Sequence, residues 1–117
     1  MWDASPTLVK LPQLLFFDEG PGKAEGINHY VGRQPIFAFG NSIGDKEMLE
    51  WTANCDGLCF MGLVHHTDAV REYAYGANSD VGKFPVALLE HANANGWSVV
   101  NMKDDWKVIF SWETPSP

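Results

Sequence analysis

The stretch "FAFGNSIGDKEML", residues 37–49, sets Asn41, Ser42 and Asp45 in a short polar turn between an apolar run and a helical pattern. Polar side chains at the end of a strand, facing a helix start, often mark an active site. Asn41 offers an amide oxygen without charge. Asp45 brings the formal charge, and Ser42 can bond a backbone group or a water. The same residue types also build turns and cap helices, so a purely structural role is the competing reading.

Other residues invite chemistry with less support. His65 and His66 end a second apolar run, where a histidine can meet a ligand near neutral pH or simply lie half exposed. His29 and His91 have no partners within a motif. Cys55 and Cys59, in "CDGLC", lack the C-x-x-C spacing of redox and zinc sites. Cys55 reads as a loop residue and Cys59 as a small core residue on a strand; a zinc site joining them to His65 and His66 is the alternative. Asp104 and Asp105 are adjacent, so their side chains diverge and a turn is the better reading. Trp97, Trp106 and Trp112 either line an apolar pocket or cover core and sheet edge.

The elements that must position these groups follow from the pattern. "LPQLLFFDEG" predicts a short strand ending at Asp18 or Glu19, broken by "GPG". "KAEGINHYVG" predicts a short helix with Ile27 and Tyr30 or Val31 inward, ended by Gly32. "PIFAFG" is a continuous apolar run of strand length, which fits a buried parallel strand with Pro35 at its first position. "GDKEMLEWTA" predicts a helix burying Met48, Leu49 and Thr52, with Asp45 and Glu47 near its positive end. "GLCFMGLVHH" predicts a second buried strand, and "TDAVREYAY" a short helix capped by Thr67 or Asp68. "GANSDVGKF" is a loop. "PVALLEHANANG" predicts a helix with Val86, Leu88 and Leu89 inward, stopped by Gly96. "WSVVNM" is a third strand, and "KDDWKVIFSW" a turn followed by a last short strand. Residues 1–10 and 113–117 are expected to be loosely held. Strands alternating with helices imply an α/β fold with a mostly parallel sheet, in which ligands sit beyond the C-terminal strand ends. The turn after "PIFAFG" and the "HHTD" segment both occupy that position.

"PIFAFGNSIGDKEML" resembles the last motif of the haloacid-dehalogenase-like (HAD) hydrolases, where a hydrophobic strand ends in Gly-Asp and a further Asp opens the next helix. Gly40 and Asn41 take the Gly-Asp place, and Asp45 takes the later acid. The flanks "GPGKAEGI", "GLVHHTDAVREYAY" and "GKFPVALLEHANANGWSVVNMKDDWKVIF" extend the resemblance to the C-terminal part of a HAD phosphatase, from about residue 12 onward. It implies a partial Rossmann-like, three-layer sandwich, a single domain over residues 1–117 that is truncated relative to the full family. It implies a Mg2+ corner at Asn41 and Asp45, and a phosphate contact at Lys23 and Ser42. Lys23 matches the family's upstream lysine, and an exposed loop lysine is its alternative reading.

HAD chemistry begins at a D-x-D pair after an apolar run, nucleophile first and acid/base second. None of the eight aspartates, at positions 3, 18, 45, 56, 68, 80, 104 and 105, stands one residue from another across a spacer. Asp18 ends "LLFFD", but Gly20 occupies its +2 position. No catalytic residue is therefore assigned. Without the nucleophile strand, "PIFAFG" would be left as an apolar sheet edge, and bare edges pair with something. A homodimer or segment-exchanged oligomer is the expectation.

The bulk composition agrees with a small folded domain. Of 117 residues 45% are hydrophobic, which is enough for one core. The net charge of -7 argues against a nucleic-acid or anionic-membrane surface. The N-terminus has no basic leader pattern and no apolar run reaches spanning length, so a cytoplasmic protein is expected. Three functions follow. The first is a catalytically incomplete HAD-like domain with a degenerate magnesium and phosphate turn, acting by binding or assembly. The second is a phosphomonoester hydrolase that works only when a partner chain supplies the nucleophile. The third is a small-molecule binder built on the tryptophans.

Overall fold

The computed structural model describes residues 7–114. The core is a sheet of three parallel strands, β1 (Phe37–Gly40), β2 (Phe60–His65) and β3 (Ser98–Asn101), arranged in sequence order. Phe37 pairs with Phe60 and Gly40 with Leu63, while Gly62 pairs with Ser98 and His65 with Asn101. Three α-helices accompany it, α1 (Pro21–Tyr30), α2 (Lys46–Ala53) and α3 (Val86–Ala94). A 3-10 turn over Ile43–Asp45 joins β1 to α2. The expected α/β class, parallel sheet and helix-alternating order are thus present. No described helix is long and apolar enough to cross a membrane.

Strand alternation divides the sheet into two unlike faces. Ala38, Met61, Leu63 and Val99 share one face, and they pack with Leu49 of α2, Leu88 and Ala92 of α3, Phe84 and Trp97. Leu49 and Leu63 are fully buried, each contributing on the order of 1.5–3 kcal/mol relative to exposure. Thr52 is also fully buried, and its hydroxyl is satisfied by donating to the Met48 carbonyl one turn back, at 2.9 Å. The opposite face carries Phe37, Phe39 and Phe60, which are 60%, 45% and 39% exposed. Their rings cluster at centroid distances of 5.2–5.5 Å. Phe39 lies over Gly62, where any side chain would collide with its ring. Two layers are therefore in place, and no described helix covers the aromatic face.

Several expected elements differ. "LPQLLFFDEG" is not a strand: residues 8–17 form an exposed extended arm, and among the described residues 8–18 make no backbone hydrogen bond. Its apolar run has the length of a strand but no partner to pair with. Its end is anchored on α1, with Phe16 against Gly26 and Tyr30 and the Phe17 carbonyl close to Gly22. In α1, Gly26 is the buried residue, whereas Tyr30 and Val31 face solvent. The close approach of Phe16 accounts for a glycine there. Gly32 ends the helix as expected, with φ at 72° and its N–H on the Ile27 carbonyl. "PIFAFG" is parallel but an edge strand, with only Ala38 buried. Val86, the first residue of α3, is exposed.

"TDAVREYAY" makes one turn instead of a helix. The buried Asp68 carboxylate accepts the Val70 and Arg71 N–H groups and the Arg71 guanidinium. Arg71 then reaches the carbonyls of Met102, Lys103, Trp106 and Lys107. Those long-range bonds hold "KDDWKVIF" as a loop, and a 3-10 turn, Ser111–Glu113, replaces the expected last strand. Asp105 receives the Asn101 N–H at 2.7 Å, in keeping with the turn reading. Cys59 precedes β2, half-buried, and is disulfide-bonded to Cys55 across a Cα separation of 6.3 Å. It is not a core strand residue, and neither thiol is available for zinc. Of the ends expected to be loose, residues 1–6 and 115–117 lie outside the described residues. Residues 7–10 are exposed and irregular, and Glu113 belongs to the 3-10 turn.

The Arg71 N–H and guanidinium hold the Asp68 carboxyl below its usual 3.8, at about 2. A depressed folded-state value means that the stabilisation is complete above 3.8 and lost as pH falls toward about 2. Thermal unfolding midpoints are expected to drop across that window, and Asp68→Asn is expected to lower the neutral-pH midpoint while flattening the drop. An unchanged midpoint in Asp68→Asn would contradict the clasp.

Candidate functional site

The site lies beyond the C-terminal end of β1, the position that parallel sheets reserve for ligands. At Gly40 the chain leaves the sheet, and Asp45 folds back beneath the strand end. Its Oδ2 accepts the Asn41 N–H at 2.8 Å and the Ser42 N–H at 3.2 Å, with the Ser42 hydroxyl at 3.4 Å. These are donors that the strand-to-helix break would otherwise leave unpaired. The turn is laced on both sides. The Gly20 N–H donates to the Gly44 carbonyl at 2.9 Å, and the Ile43 N–H to the Lys83 carbonyl at 2.8 Å. The first contact brings the start of α1 against the turn and puts Lys23, in its first helical turn, beside Asp45. Lys23 Nζ stands 3.7 Å from Asp45 Oδ1.

Lys23, Asn41, Ser42 and Asp45 are thus brought together, all partly buried. They border a cleft of about 320 Å³ whose lining also includes the acids Asp18 and Glu19, and Tyr75. Asn41 and Asp45 are also one wall of a second cleft of about 470 Å³, whose other sides are Phe39, Val64, His66 and Met102. A larger hollow of about 510 Å³ lies between the arm and α1, lined by Leu15, Phe16 and Tyr30 among others, away from these groups.

The two neighbouring histidines part company because the strand alternates. His65 turns to the core face and stacks on Phe84, with ring centroids 4.0 Å apart. Burial, and then the neighbouring His66, push its pKa down. His66 turns to the cleft, with Nδ1 on Glu72 Oε2 at 2.8 Å and its ring on Tyr75 at 4.4 Å. The Glu72 side chain is only 9% exposed, and its Oε1 is buried with no hydrogen-bond partner among the described residues. Sequence reading missed Glu72, because a helix over "TDAVREYAY" would have aimed it elsewhere; no spacing signal links it to His66. His91, read as alone, meets Glu50 at 3.2 Å.

Metal capacity is modest. Among the described residues no group of three or more His, Cys, Asp or Glu side chains is placed to hold an ion. Asp45 Oδ2 is committed to the turn, which leaves Asp45 Oδ1 and the Asn41 amide oxygen at the strand end, with Asp18 and Glu19 elsewhere on the cleft's lining. That donor set fits Mg2+ only where water and a ligand phosphate complete the octahedron, which is how this ion is often held. The tryptophans do not form a shared pocket: Trp97 is in the core, while Trp106 and Trp112 are exposed.

No protein-family model matches the chain, and no curated protein matches it.

A methyl group at Gly40 would overlap the Asp45 side chain. Gly40→Ala is expected to lose about 1–3 kcal/mol, the range for overpacking, seen as a lower urea midpoint by tryptophan fluorescence. A wild-type midpoint would mean that Asp45 is not seated as described.

Proposed function

We propose that this domain is a catalytically incomplete HAD-like unit that binds a small phosphorylated ligand at the end of β1 and acts by binding and assembly. One observation carries the reading. Lys23 and Asp45, far apart in sequence, meet at the C-terminal end of a parallel strand beside Asn41 and Ser42. In this reading Lys23 and the Ser42 hydroxyl face the phosphate. Asn41 and Asp45 hold Mg2+ jointly with the phosphate, the ion offsetting the acidity of the cleft. The chain's own aspartates include no D-x-D pair, and the Asp18 run is an arm rather than a sheet strand. A binding role follows, with hydrolysis reserved for an assembly in which a partner provides the nucleophile. Isothermal titration of inorganic phosphate is expected to show millimolar binding with Mg2+, weakened at least tenfold by Lys23→Ala. 4-Nitrophenyl phosphate should stay intact. Phosphate binding that is absent, or indifferent to Lys23→Ala, would refute the site; turnover by the chain alone that is abolished by Asp45→Ala would refute its inactivity.

The bare aromatic face and free β1 edge support assembly with a second copy. Parallel sheets are ordinarily covered on both faces, and this chain also holds an apolar arm without hydrogen bonds. Phe16 anchors the arm to α1, and α1 packs on α2 in the helical layer, on the side away from the aromatic face. A reciprocal exchange, the arm of one copy against β1 and the phenylalanines of the other, satisfies both surfaces. Light scattering after size exclusion is expected to give twice the 13.0 kDa monomer mass, with Leu14→Glu/Leu15→Glu monomeric and equally folded by circular dichroism. A wild-type monomer at micromolar concentration, or a dimer indifferent to those charges, would rule the exchange out.

A further inference from the structure

The two clefts at the end of β1 share a wall, and they differ in chemistry. The first holds Lys23 and Ser42 and is polar. The second, about 470 Å³, is walled by Phe39, Val64 and Met102, with one polar side chain besides the shared Asn41 and Asp45, namely His66. That volume lies within the range of small-molecule sites, which are mostly apolar with a few placed polar groups. A free phosphate would occupy the first cleft and leave the second empty.

His66 is held as an oriented group. Its Nδ1 is engaged by Glu72 at 2.8 Å, and its ring lies on Tyr75. In the neutral imidazole, Nδ1–H donating to the carboxylate leaves Nε2 as an acceptor. Glu72 has little solvent to serve it, and its second oxygen has no partner among the described residues. A nearly buried carboxylate whose one described side-chain partner is a cleft histidine fixes that ring's tautomer.

We propose that the ligand is a phosphate monoester of an aromatic or similarly flat apolar group that carries a hydrogen-bond donor. The phosphate sits by Lys23 and Ser42, the ring lies between Phe39, Val64 and Met102, and the donor meets His66 Nε2. This rests on the phosphate reading above and adds the part of the ligand beyond the ester oxygen.

Titration of three probes with Mg2+ present separates the two claims: inorganic phosphate, phenyl phosphate and 4-hydroxyphenyl phosphate. Phenyl phosphate is expected to bind about tenfold tighter than phosphate, in proportion to the apolar area that a ring buries. The hydroxyl should add a further several-fold. His66→Phe should remove only the hydroxyl increment. Met102→Ser, which shortens the apolar wall at a partly exposed loop residue without adding charge, should remove much of the ring increment. Phosphate binding that depends on Lys23 but gains nothing from the ring, or a ring increment insensitive to Met102→Ser, overturns the inference and leaves the phosphate site standing. An hydroxyl increment that persists in His66→Phe removes His66 from it. Failure of all three probes to bind overturns both claims.

Discussion

The Asp45 carboxylate is the interaction on which the rest of the site depends. One oxygen gathers the N–H groups released where β1 ends, and the other faces Lys23 at 3.7 Å. Donors left without water or a partner at a strand-to-helix break are costly, so this acid makes the abrupt turn affordable and, through Lys23, ties α1 to β1. It also explains Gly40, since the folded-back side chain fills the space a Cβ would need. The structural and functional readings of "GNSIGD" are therefore not rivals. Oδ2 is spent on the backbone, and Oδ1 is what remains for a cation or a ligand.

The far wall depends on a second polar centre. Asp68 and Arg71 bind each other, and the guanidinium collects four carbonyls between Met102 and Lys107. A guanidinium presents five donors in a rigid fork, so few other side chains could brace a loop in this way. That bracing sets Met102 beside Val64 and leaves Glu72, the next residue, turned toward His66. The apolar cleft is thus walled by the sheet on one side and by an ion-paired loop on the other.

What the sequence revealed follows from local rules. The three strands, α2, and the glycine stops at Gly32 and Gly96 were legible because each depends on apolar periodicity or positive φ. The approach of Lys23 to Asp45 has no local signal, since no period or turn rule joins residues so far apart in sequence. The arm over residues 8–17 was misread because an apolar run states length and not partnership. "TDAVREYAY" was misread because Asp68 looks like an N-cap; its carboxylate does accept local N–H groups, but Arg71 is drawn away to the C-terminal loop. Long-range side-chain to backbone bonds have no period, so those of Arg71 were invisible, and the side-chain contact of Glu72 with His66 spans six residues that follow no helical spacing.

The free edge and the ligand cleft are one problem rather than two. Asn41 directly follows the last residue of β1, whose outer edge has no strand partner among the described residues in a sheet ordered β1-β2-β3. A parallel strand added along that edge would run toward Asn41, on the side of the cleft that Asn41 and Asp45 wall. Phe39, exposed on the bare face, is also a wall of the apolar cleft. Covering the aromatic face, as the proposed exchange does, would therefore also close one side of that cleft and lower the solvent exposure of its polar groups. The proposed assembly and the proposed ligand would share Phe39, so any effect of one on the affinity of the other would be reciprocal.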